Sequence, residues 1–192
     1  MLEADDRLGE AEQASRAGER AQRRRRGWVA PMAASYAIDT LFLGLFAAVG
    51  TIPGNLPLGY GAASALVCAG AWATYARGWN LKLRDPDLVE PLLVLGVLMQ
   101  LAVVAAAPQV TFPFLANLFT VFAFGMVAMS VRASVRVWTF QVVASGLVLY
   151  RVADRAGLPS ATTLELLLTW FYFALILARC LMLSVNANLG CC

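Results

Sequence analysis

The chain has 192 residues, of which 60 % are hydrophobic and 14 % charged, and its formal net charge is +3. Soluble domains carry roughly 25 % charged residues, so this composition excludes an ordinary water-facing surface. The apolar residues fall in long runs divided by short polar breaks, which predicts an all-α polytopic membrane protein, a bundle of six transmembrane helices with both termini cytoplasmic.

Residues 1–26 mix both signs of charge with Ala, Gly and Gln and contain two leucines. No face of such a segment buries much, which predicts a basic cytosolic tail, disordered or helical in places. Seven of the 15 basic residues precede Gly27, four of them as the run 23–26. A basic block beside an apolar run marks a cytoplasmic flank. A nucleic-acid arm is the competing reading, and no nucleic-acid partner is expected. A secretory signal peptide would also place a basic stretch before an apolar one, but this run is too long and carries Asp39.

The membrane domain is expected over residues 27–187, with spans at 28–50, 60–78, 90–107, 113–131, 137–153 and 164–185, followed by a short tail at 188–192. Each span is near the ~20 residues that a bilayer core requires. In the first, Asp39 sits ~16 Å of helix from Trp28, where a carboxylate costs roughly 2.5–3.5 kcal/mol on insertion scales. It must face protein or water, either as a signal- or proton-binding acid or as a hydrogen-bonded packing residue. In the second, Gly61, Ala65, Ala69 and Ala73 recur every four residues, a spacing that admits a neighbouring backbone and predicts a central position in the bundle.

Arg77, Lys82 and Arg84 mark the connection after the second span as cytoplasmic, and Arg132 and Arg136 do the same for the fourth connection. The first and third connections, 51–59 and 108–112, hold no charge. Trp28, Trp79 and Trp138 fall at the cytoplasmic span ends, where an indole prefers the headgroup layer. Glu90 is expected to screen the basic second connection. Gln100, Asn117, Thr120 and Gln141 are polar side chains within spans, suited to bridging helices by hydrogen bonds of about 0.6 kcal/mol each. In the last span Arg179 lies ~22 Å of helix from the outer side. It is the candidate partner of Asp39, although a long arginine also reaches the inner headgroups by snorkelling.

Four cysteines, Cys68, Cys180, Cys191 and Cys192, lack metal-ligand spacing, and histidine is absent. A His-ligated redox carrier is thereby excluded, and no cofactor or metal is expected. No nucleophile with a base, glycine-rich phosphate loop or paired acidic cluster is present, so no catalytic residues are assigned.

The stretch Gly78-Trp79-Asn80-Leu81-Lys82-Leu83-Arg84-Asp85-Pro86-Asp87-Leu88 resembles a loop of the form G-x-N-L-R-F-x-D-P-S-L found in one group of bacterial GGDEF diguanylate cyclases. There it joins the second and third spans of an N-terminal six-helix membrane region. Gly50-Thr51-Ile52-Pro53, Val121-Phe122-Ala123-Phe124-Gly125 and Ala178-Arg179-Cys180 are similar to stretches of that region too, in the same order along residues 30–183. The resemblance implies a non-catalytic sensory or anchoring domain in the bacterial inner membrane. Its implied partners are the lipid bilayer, a second copy of the chain, and a cytosolic GGDEF-type output domain.

After Leu183 the sequence reads Ser184-Val185-Asn186-Ala187-Asn188-Leu189-Gly190-Cys191-Cys192 and carries no Gly-Gly-Asp-Glu-Phe motif. The family's catalysis therefore has no matching position here. A truncated product, an isolated domain and a relative signalling through a separate partner are the alternatives. Two other functions compete: a small transporter or channel using Asp39 as an intramembrane polar site, and a structural subunit that docks a partner. A transporter would show an internal repeat or a helix broken at mid-depth, and neither is evident.

Overall fold

The computed structural model describes residues 2–83, 85–126, 129–155, 167–168, 170–171 and 173–178. Among the described residues the chain forms helices and no strand: α1 Leu2–Gly27, α2 Val29–Ala48, α3 Asn55–Ala76, α4 Val89–Ala106, α5 Thr111–Met126 and α6 Val131–Val152. Single 3-10 turns lie at Trp79–Lys82 and Pro108–Val110, and helical residues recur over 167–178. The fold divides into two compact units, one of Met1–Leu45 with Pro57–Asp87, the other of Phe46–Leu56 with Leu88–Cys192.

Among the described residues four helical stretches are long and apolar enough to cross a membrane: Arg16–Ala48, Asn55–Ala76, Val89–Ala106 and Val131–Val152. Their outer faces keep large apolar side chains exposed, among them Leu41, Phe42 and Leu45 on α2, Leu58, Leu66 and Trp72 on α3, and Leu147 on α6. In water such faces would aggregate. The expected fourth and sixth spans fall differently: α5 is 16 residues long, and most of 164–185, with the tail 188–192, lies outside the described residues.

The tail expected to be disordered or helical in places is the helix α1. Trp28 donates its N–H to the carbonyls of Arg24 and Arg25 at 3.3 and 3.2 Å, and Met32 N–H reaches Trp28 at 3.4 Å, so helical hydrogen bonding runs on from α1 into α2. Nucleation is the costly step in helix formation. An apolar helix that already exists lets a segment rich in Ala, Arg, Glu and Gln extend it, without any apolar face of its own.

α2 ends where the sequence reads Gly50-Thr51-Ile52-Pro53. Thr51 N–H bonds Phe46 at 2.9 Å and Gly50 N–H bonds Ala47 at 3.0 Å, the nested pair of a Schellman motif. Gly50 takes the left-handed conformation this needs, φ +79°, and Pro53 prevents resumption of the helix.

The four-residue stripe on α3 does not coincide with that helix's buried side. A four-residue step advances 40° around a 3.6-residue helix, so the stripe leaves any one face; Ala65 and Ala69 are exposed. The buried side of α3 is instead Pro57, Tyr60, Ser64, Ala71 and Tyr75. Only Gly61 admits a close neighbour: a Cβ there would lie 3.1 Å from Cγ2 of Thr40 on α2.

In the second unit α4 is the central element, packed on both α5 and α6. Its buried positions Leu93, Val97, Gln100, Leu101 and Val104 keep the spacing of one helical face. Gly125 on α5 lets Leu93 lie against the backbone, for a Cβ there would run into Leu93 Cδ1. α6 begins six residues before the apolar part of its sequence because Ser130 caps it, its Oγ accepting from Ala133 N–H at 3.4 Å. The first turns thus carry Arg132 and Arg136 exposed. Glu90, expected to screen the second connection, is bound by Arg136: Nε donates to Oε1 at 2.8 Å and the guanidinium NH2 to Oε2, tying the first turn of α4 to α6.

Residues 167–178 are fastened to α6 by two indoles. Trp170 Nε1 donates to the Val142 carbonyl at 2.9 Å, and Trp138 Nε1 donates to the Ala174 carbonyl at 3.4 Å. The pairing order is reversed along the two segments, so they run antiparallel. Each tryptophan stands four residues before the carbonyl that receives the other. Trp138, expected at the headgroup layer, is half-buried in this contact, whereas Trp28 and Trp79 are exposed.

Candidate functional site

The connection between α3 and α4 is a folded structure and not a slack link. Gly78 turns the chain out of α3 in the left-handed conformation, φ +70°, which costs a glycine little. One 3-10 turn follows, closed by Leu81 N–H to Gly78 and Leu83 N–H to Asn80, each at 3.1 Å. Asp85 then accepts the N–H of Asp87 at 3.1 Å, an Asx turn. Leu88 enters α4 at φ +55°, buried in spite of its left-handed backbone.

At the centre of this loop Asn80 is fully buried. Its Nδ2 donates to the Pro86 carbonyl at 2.7 Å and to Gln22 Oε1 at 3.2 Å. Gln22 Nε2 answers with bonds to Asn80 Oδ1 at 2.7 Å and to the Tyr75 carbonyl at 2.6 Å. The two amides therefore close a ring, and each spends its spare N–H on a backbone carbonyl. Every amide N–H of the pair is satisfied, which is the condition for burying such groups cheaply.

Further contacts surround the ring, two of them from α1. Arg25 Nε pairs with Asp87 Oδ1 at 2.6 Å, Arg26 donates to the Ala76 carbonyl at 3.1 Å, and the Tyr75 hydroxyl donates to the Asp87 carbonyl. The Arg77 guanidinium lies 4.9 Å over the Trp79 ring. Of the loop residues singled out from sequence, Asn80, Asp85 and Pro86 thus hold the loop's shape. Trp79 and Leu81 are exposed, and Arg84 lies outside the described residues.

Asp39 is half-buried, and its Oδ2 accepts the Tyr60 hydroxyl of α3 at 2.9 Å. Tyr60 meets the ring of Tyr36 edge-on, centroids 6.2 Å apart. A carboxylate on the first apolar helix is thus held by a phenol on the second, one residue from the close approach of Thr40 and Gly61. Composition did not mark Tyr60 as a functional residue. The only available signal was that α2 and α3 are joined by a short connection, which sets Asp39 opposite the first third of α3. Arg179, expected as its partner, lies outside the described residues.

Gln100 is buried on α4 and Asn117 half-buried on α5. The bridging role expected of the amides is seen at Gln141 on α6, fully buried, whose Nε2 donates to the Leu118 carbonyl of α5 at 3.2 Å. Thr120 bonds the Ala116 carbonyl of its own helix. Among the described residues no group of three or more His, Cys, Asp or Glu could hold a metal ion. The arrangement is one of positioning and recognition: a polar latch joining α1 to a loop, and an acid set among tyrosines. No protein-family model, curated protein or solved structure matches this chain.

Proposed function

We propose that the chain is a six-span sensory or anchoring domain of the bacterial inner membrane, both termini cytoplasmic, that regulates or localises a cytosolic output such as a GGDEF diguanylate cyclase. The observation that carries this reading is the loop from Gly78 to Leu88. Its likeness to the corresponding loop of cyclase membrane regions falls on the residues that build it: the left-handed Gly78, the buried Asn80, the turn-forming Asp85 and the accepting Pro86 carbonyl. The chain acts without catalysis: a signal that favours one packing of the helices over another shifts the population by its differential affinity. Asp39 with Tyr60 is the polar contact inside the helices that such a signal would address.

Joined to a reporting cyclase domain, the Asp39→Asn variant will show an altered response. An unchanged response over a broad set of conditions removes Asp39 from the signal path. Reporter tags at the two ends will both read as cytoplasmic, and tags on opposite faces would overturn the six-span topology. The half-buried Asp39 also favours a second reading, a small transporter; proteoliposome flux abolished by Asp39→Asn would select it.

A further inference from the structure

α1 divides its arginines between two faces. At 100° per residue, Gln22, Arg25 and Val29 share one side and Arg26 borders it; this is the side whose polar groups bind Asn80, Asp87, and the Tyr75 and Ala76 carbonyls. Arg20, Arg23, Arg24 and Gly27 fall on the opposite side, all exposed. Glu19, four residues before Arg23 and about 40° from it around the axis, borders that face on one side, and Arg20 and Arg24 stand clear of it.

The geometry points to this face, Arg20 with Arg23 and Arg24, as a binding surface for the headgroups of anionic phospholipids. The inference rests on the membrane reading above. The helix runs on into the first apolar span through Trp28, which is 65 % exposed, as an indole at the headgroup layer should be. Arg24 is ~6 Å and Arg20 ~12 Å along the axis from Trp28, and the headgroup region is roughly 5–7 Å deep on each side. Arg23 and Arg24 therefore stand at the level of the lipid phosphates, and Arg20, about 5 Å further out, reaches back to them with its long side chain. With Arg25 and Arg26 engaged by the loop, the docked face fixes which way the other three are turned. Basic residues so placed raise the affinity for anionic lipid by about fivefold each, or about a hundredfold for three.

The full chain, purified in a zwitterionic detergent and titrated with phosphatidylglycerol or phosphatidylcholine while native mass spectrometry counts bound lipid, tests this. The unaltered chain will prefer phosphatidylglycerol, less so at high salt. The R20Q/R23Q/R24Q variant will lose about a hundredfold, towards the value for phosphatidylcholine. R25Q/R26Q, which loosens the docked face without touching the lipid-facing arginines, will lose less than the triple variant, and D39N will keep the preference, so this result stands apart from the signalling experiment. Equal binding of both lipids by the unaltered chain overturns the inference. So does a triple variant that binds like the unaltered chain, an equal loss in R25Q/R26Q, or an acidic soluble protein held through these arginines in place of lipid.

Discussion

Asn80→Ala will release α1 from the loop and cost the first unit about 3 kcal/mol, while leaving the hydrogen bonding of α2 intact. The substitution removes one side of the amide ring and strands the Pro86 carbonyl and the head of Gln22, groups that cost ~1–3 kcal/mol each when buried without partners. The loss will be read as a lower unfolding midpoint in detergent. Hydrogen exchange will give it a location: amides of α1 near Gln22 will lose protection, and those in the apolar part of α2 will keep theirs. Because Gln22 and Asn80 act as one unit, Gln22→Ala combined with Asn80→Ala will cost little more than Asn80→Ala alone. Leu81→Ala, at an exposed position of the same loop, will stay within about 0.5 kcal/mol. Unchanged protection of α1 in Asn80→Ala would show that something other than this latch holds the helix.

The latch also marks where sequence reading stops. The apolar helices α2 to α6 were legible because each is a long run of hydrophobic residues, four of them long and apolar enough to cross a membrane, and some are closed by local signals, such as Gly50 before Pro53. Their exact ends were less so: α6 starts on a serine cap that hydropathy does not register, and its first two turns are basic. α1 was illegible because its partners are 53, 58 and 62 residues away in the chain. A segment with no apolar face reads as disordered until the groups that receive its Gln and Arg side chains are brought to it. The same holds for Asp39, which stood out as a costly charge while the tyrosine that meets it did not stand out at all. In the loop the pattern of residues was visible from the start, but its cause, a buried amide, was not.

Gly146→Val will loosen the segment 167–178 from α6 more than loss of either indole bond would. A Cβ at Gly146 would lie 2.7 Å from Trp170 Nε1 and 2.9 Å from Cε2, inside contact distance of a rigid ring that has no free end to swing aside. Overpacking of this kind typically costs about 1–3 kcal/mol. The same clash displaces the indole from the Val142 carbonyl, a further loss of roughly 0.6 kcal/mol in a membrane setting. Trp170→Phe removes the N–H together with the five-membered part of the ring, so it will cost that bond and the lost packing, about 1–2 kcal/mol together; Trp138→Phe, from the longer 3.4 Å bond, will cost no more. Gly146→Ala already carries the offending Cβ and will fall between Trp170→Phe and Gly146→Val. Limited proteolysis near residues 167–178, beside the thermal midpoint in detergent, orders the four variants. Gly146→Ala no worse than Trp170→Phe would mean that the ring does not rest on the glycine. The order matters for how the segment can move: sliding it one turn, ~5.4 Å, along α6 breaks both indole bonds together, whereas tilting it about the crossed pair keeps both. Any coupling of this segment to a change elsewhere in the second unit therefore has tilt as its low-cost coordinate.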